Sequence, residues 1–103
     1  MKTAFPSDYL AYLEEDGTDV ASTEGEPSYF QLWHPDEVEE MNRSYRVAEY
    51  APGFLGFGSD GGGEMLAFDA RGSVFKLPFV GMAPKEAQKI ATSWSEIAAR
   101  IAK

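Results

Sequence analysis

The residues best suited to chemistry cluster between Gly56 and Glu64, where Gly56-Phe57-Gly58-Ser59-Asp60-Gly61 satisfies the pattern G-x-G-x-x-G. Glycines at that spacing let a phosphate approach the backbone. A dinucleotide site also needs the last glycine to open a helix whose N-terminus holds the pyrophosphate. Here Gly62-Gly63-Glu64-Met65-Leu66 leads into another strand pattern instead. A kinase-type glycine loop does sit in a hairpin, but it requires a following strand lysine, a catalytic aspartate and a far longer chain. The segment therefore reads as a glycine-rich turn joining two strands.

Other chemistry finds little support. Ser59 lacks a base, because the only histidine, His34, stands directly before Pro35 with no signature linking the two. His34 reads as a surface or helix-capping residue. One histidine and no cysteine leave zinc without a ligand set and exclude thiolate nucleophiles and disulfides. Asp60, Glu64 and Asp69 match no calcium loop, and strand geometry would scatter them. No catalytic, metal or cofactor residue is assigned, and no cofactor is expected.

Asp36, Glu37, Glu39 and Glu40 form the strongest signal outside the apolar pattern, a first helical turn carrying more charge than dipole complementarity requires. Against a partner-binding reading stands a solvated helix face in which Glu39 and Arg43 make an i, i+4 pair. Trp33 reads as a core anchor first and an interface residue second, with its strand-end position leaving the indole open to exposure, and Tyr45 is open between core and surface; these two are the aromatic candidates to anchor a partner beside those acids. Trp94 reads first as a core residue, and Tyr50 is open between core and surface.

The chain has 103 residues with 44% apolar and 25% charged content, which suits one domain, residues 1–103, with one core. The formal charge is −8, and residues 1–50 hold twelve of the seventeen acids but only three of the nine bases. That polarity disfavours nucleic acid and anionic membranes and favours a basic protein partner. Met1 to Pro6 has no apolar signal core, and no window reaches the roughly 18 apolar residues of a membrane span. The expected location is cytoplasmic.

The elements follow from pattern. Pro6, Ser7 and Asp8 suit the opening of a helix with Tyr9, Leu10 and Leu13 at helical spacing and Gly17 as a left-handed cap. Gly17 to Pro27 reads as an exposed loop. Ser28 to Trp33 alternates as a strand, with Phe30 and Leu32 on one face. Pro35 opens a helix whose apolar stripe is Val38, Met41 and Tyr45, with Arg43 and Arg46 near its end. Phe54–Phe57, Glu64–Asp69 and Ser73–Leu77 make an antiparallel meander, joined at Gly58–Gly63 and Ala70–Gly72. Pro84 to Thr92 is expected as a short turn or helix. Ser93-Trp94-Ser95-Glu96 is a capping box that starts a final helix through Ile97 and Ile101.

In order and spacing, Phe5-Pro6-Ser7-Asp8-Tyr9 through Leu13, Pro35-Asp36-Glu37-Val38 with Asn42 and Tyr45, Phe57-Gly58-Ser59-Asp60-Gly61-Gly62-Gly63-Glu64, and Ile90-Ala91-Thr92-Ser93-Trp94-Ser95-Glu96 resemble the SUKH superfamily in its Smi/Knr branch. The glycine-rich segment and the last segment are the most specific. Two departures stand out: many members carry a further N-terminal helix, of which Met1 to Phe5 would be a remnant, and Ile97 stands where an aromatic is usual. The resemblance implies an α+β fold, a central and largely antiparallel sheet packed by helices, and no catalytic residues. It also implies a protein partner. Bacterial members bind and neutralise toxins as immunity proteins, while fungal relatives regulate cell-wall assembly. The expected function is thus an immunity-type protein that sequesters a basic toxin domain, with a regulatory scaffold as the alternative and an enzyme or small-ligand binder behind both.

Overall fold

The computed structural model describes residues 5–15 and 17–102. Expectations resting on Met1 to Ala4 lie outside them. Six strands form one sheet in chain order: β1 (Val20–Ser22), β2 (Tyr29–Leu32), β3 (Leu55–Ser59), β4 (Glu64–Phe68), β5 (Val74–Pro78) and β6 (Gln88–Ala91). Each pairs antiparallel with the next. With helices α1 (Ser7–Glu14), α2 (Val38–Ser44), α3 (Val47–Tyr50) and α4 (Trp94–Ala99), this is the expected α+β architecture.

The two glycine-containing turns owe their shape to aspartates. Between β3 and β4, Asp60 Oδ1 accepts the amides of Gly62 (2.8 Å) and Glu64 (3.3 Å), while Gly61 takes φ +82°, a conformation costly for any residue with a β-carbon. Between β4 and β5, Asp69 Oδ1 accepts the amides of Arg71 and Ser73 at 3.0 Å.

Apolar side chains fill both faces of the sheet, so the core is double where one was expected. On β4, Leu66 and Phe68 point to one side and Met65 and Ala67 to the other, and all are buried. On the first side Phe30, Leu32, Phe57, Leu66, Phe68 and Val74 pack under Tyr9 of α1 and Trp94 and Ile97 of α4. On the second, Met65, Ala67 and Leu77 pack with Val47, Ala51 and Met82. Four aromatic rings meet edge-on around Trp94, those of Tyr9, Tyr12, Phe30 and Phe57, with centroids 5.0 to 5.8 Å away. The alternation of β2 and the start of α4 are as expected: Ser93 caps α4 by accepting the Glu96 amide, and the Glu96 carboxylate reaches back to the Thr92 amide at 2.9 Å.

Elsewhere the structure corrects the sequence reading. Pro6 caps α1 instead of entering it. Gly17 is not left-handed; its amide bonds the Tyr12 carbonyl, and a β-carbon there would collide with the Tyr12 ring at 2.4 Å, so the glycine makes room for an aromatic. The presumed loop Gly17–Pro27 contains edge strand β1, too short for a readable period but held by its pairing with β2. Gln88–Ala91 is a strand and not helical, because the 3-10 turn Pro84–Glu86 ends early and the open edge of β5 satisfies the backbone that follows. Arg46 does not end α2; it sits in the left-handed region at φ 55° and turns the chain into α3.

Candidate functional site

The acidic segment is held in place from both ends. His34 Nδ1 accepts the Asp36 amide at 3.2 Å, Pro35 opens a 3-10 turn through Glu37, and α2 follows with Val38 buried. Asn42 fixes the helix to the sheet. Strand β2 stops alongside Gly58, leaving Gly56 without a strand partner on that side, and the Asn42 carboxamide takes the vacant place. Its Oδ1 accepts the Gly56 amide at 2.8 Å, and its Nδ2 donates to the carbonyls of Gly56 (2.8 Å) and Val38 (2.7 Å). A side-chain amide here imitates the next strand.

The expected partner-binding residues are brought to one region, but they are not equivalent. Asp36, Glu37, Glu39 and Glu40 are all exposed. Asp36 lies 3.7 Å from the His34 ring, and Glu39 is bound to Arg43 at 3.4 Å. Glu37 and Glu40 have no ion-pair partner among the described residues. Trp33 is half-buried and stacks on Tyr45 with centroids 6.1 Å apart and planes at 12°. Tyr45, 39% exposed, in turn lies 4.6 Å from Phe79. The result is a three-ring ladder past the C-terminal end of α2, and Val80, next in sequence after Phe79, is 91% exposed.

Two concavities flank the helix. On one side Glu37, Met41 and Trp33 line a depression with Val20, Gln31 and His34. On the other, a groove of about 640 Å³ is bounded by Phe5, Val38, Asn42, Ala48, Phe54 and Leu55, with Glu39 and Arg43 beside them. Of the four acids, Glu37 thus lies on one flank and Glu39 on the other. The contribution of Phe79, Val80 and the groove walls was missed in the sequence; the only trace is an apolar run, Leu77 to Met82, longer than strand β5 needs.

A family model, SMI1 / KNR4 family (SUKH-1), matches residues 1–100. The chain belongs to that family. No curated protein matches it. Membership is consistent with a protein-binding domain of the immunity or regulatory type, and with protein–protein interaction in general.

In this SUKH-1 chain the segments that carry the resemblance have structural duties. The glycine-rich run is the β3–β4 hairpin, and a phosphate has no place there, since the Asp60 carboxylate already occupies turn amides that a phosphate would use. Asp60 Oδ2 also lies 3.4 Å from Lys76 Nζ, which meets Glu26 at 3.1 Å. Burial opposes the charge of Lys76, but the hydrogen bonds and charges of Glu26 and Asp60 prevail and raise its pKa above the ordinary value. Glu26 belongs to the β1–β2 loop, whose Glu26 carbonyl also accepts from Arg100. The cluster braces the fold. Among the described residues, no group of three or more His, Cys, Asp or Glu is arranged to hold a metal, and no helix is long and apolar enough to cross a membrane.

Proposed function

We propose that the chain is an immunity-type protein that neutralises a toxin by covering it directly, in the cytoplasm and without catalysis. The observation that carries this reading is the ladder Trp33–Tyr45–Phe79 set beside the unpaired carboxylates of Glu37 and Glu40. Aromatic anchors ringed by charge are the composition of protein interfaces, in which rings dominate dissociation and rim charges steer encounter. The acidic polarity of residues 1–50 favours a basic partner, as expected for a toxin that must hold phosphates in a positive groove.

The test is growth rescue. Each reading frame adjacent to the gene is expressed with and without this chain, and one is expected to be toxic alone and harmless in its presence. With that purified partner, the Glu37→Lys/Glu40→Lys protein should associate about ten-fold more slowly at low salt, and the difference should shrink at high salt. Glu39 is spared because Arg43 already engages it. If no neighbour is toxic, or toxicity persists on co-expression, the immunity reading fails. An association rate indifferent to salt and to charge reversal removes the acidic face from the interface.

A further inference from the structure

The groove on the far flank of α2 has a definite chemistry. We infer that it receives one bulky apolar side chain of the protein partner, with a basic residue adjacent to that anchor in the partner's sequence. The inference rests on the protein-binding reading above and states what the partner must present.

At about 640 Å³ the groove has the size of cavities that accept compact organic groups. Its lining is mainly apolar: Phe5, Val38, Ala48, Pro52, Phe54 and Leu55. Asn42, the polar side chain among them, is already engaged. Its amide nitrogen donates to two backbone carbonyls and its oxygen accepts the Gly56 amide. An apolar group entering there leaves no donor of Asn42 unsatisfied, whereas a polar one would find little to replace its water. The anchor is therefore apolar.

Charge decides what flanks it. Glu39 and Arg43 stand at the groove bonded to each other, so they largely cancel. Over residues 35–50, which supply one wall of the groove, Asp36, Glu37, Glu40 and Glu49 remain against one further cation, Arg46, which lies 3.9 Å from Glu49. Among the described residues, that wall is net negative. A basic neighbour of the anchor is attracted and an acidic one repelled.

The experiment titrates the full chain with two probes, N-acetyl-Phe-Arg-amide and N-acetyl-Phe-Glu-amide, and follows backbone amides by NMR. The Phe-Arg probe should shift the amides of Asn42, Phe54 and Leu55 saturably and bind at least about three-fold more tightly than Phe-Glu at low salt, with the preference fading at high salt. Ala48 is exposed on α3, so Ala48→Trp fills the groove without touching either core, and it should weaken the probe about ten-fold at an unchanged denaturation midpoint. Absence of saturable shifts, equal binding of both probes, or indifference to Ala48→Trp overturns the inference. So does a dimer that Ala48→Trp dissociates, which makes a second copy the occupant. Probe binding about ten-fold tighter after removal of residues 1–4 would overturn it too, by making the chain's own beginning the occupant. Growth rescue separates the two proposals. Rescue by wild type and Ala48→Trp alike fells the groove and spares immunity; selective probe binding without any rescue does the reverse.

Discussion

Replacing Asn42 by leucine removes three hydrogen bonds of 2.7 to 2.8 Å while nearly preserving side-chain shape. The Val38 carbonyl lies within α2, where the helix offers it a backbone donor, but Gly56 is buried and its amide and carbonyl on that side have no strand to turn to. Leaving a buried polar group unpaired costs about 1–3 kcal/mol, so two such groups put the loss at roughly 2–4 kcal/mol after partial relaxation. For a domain of this size that is a fall in Tm of roughly 10–25 °C. Urea unfolding followed by the fluorescence of Trp33 and Trp94 measures it, and the slope should stay constant because the surface exposed on unfolding does not change. Asn42→Asp is the discriminating companion. Its carboxylate still accepts the Gly56 amide but faces two carbonyl oxygens with no donor, so at neutral pH it should be at least as damaging as leucine. It should recover in part as pH falls through the carboxyl's pKa, which the facing carbonyl oxygens raise above the ordinary aspartate value, because a protonated acid can donate again. A leucine variant within about 0.5 kcal/mol of wild type would refute the reasoning and leave α2 held by packing alone.

Trp94→Ala should cost about 3–5 kcal/mol, since the indole is 1% exposed amid four rings; a nearly unchanged urea midpoint would contradict that burial. Tyr9 is fully buried, and its hydroxyl has no hydrogen-bond partner among the described residues. Tyr9→Phe should therefore raise stability by about 1 kcal/mol, and a loss of that size would reveal a partner for the hydroxyl. Burial also pushes the Tyr9 phenol pKa upward, so its share of stability is full below the ordinary value of 10.0 and lost as pH rises beyond it; Tyr9→Phe should flatten that alkaline limb of the denaturation midpoint. Glu96 runs the other way. The amide and hydroxyl of Thr92 hold its pKa below the ordinary 4.5, so its contribution is present above that value and lost as pH falls through the lowered one. Glu96→Gln should remove that acid-side loss from midpoints measured between pH 3 and pH 6.

Where local chemistry decided structure, the sequence was legible. Ser93 and Glu96 mark the start of α4 because a cap is a contact between near neighbours, and Phe30 and Leu32 betray β2 because alternation is a property of the strand itself. The edge strands were hidden for the opposite reason. Neither Val20–Ser22 nor Gln88–Ala91 carries a period of its own, and each is extended because a neighbouring strand offers it hydrogen bonds. The candidate surface divides in the same way. Trp33, Tyr45 and the acids could be named as residues, but that Phe79 completes the ladder, that Glu39 is spent on Arg43, and that Phe5 reaches the same groove as Ala48 and Leu55 are facts of tertiary proximity. Asn42 stood in the sequence as part of a resemblance, and its work as a substitute strand needed the end of β2 to be seen.

Because every strand pairs with the one that follows it, the sheet can be assembled in the order in which the ribosome delivers it, at little cost in loop closure. Residues 29–82 hold β2 to β5, α2, α3 and the aromatic ladder, and the buried residues of the second core layer all lie within them. The contacts that bind one end of the chain to the other come late: Tyr9 and Tyr12 against Trp94, Asp8 with Ser95 across 87 positions, Thr23 bridged to Ile101, and Arg100 with Glu26 across 74. The face offered to a partner is thus expected to mature while the opposite layer still waits for α4. Recognition and completion of the fold become separable events in time.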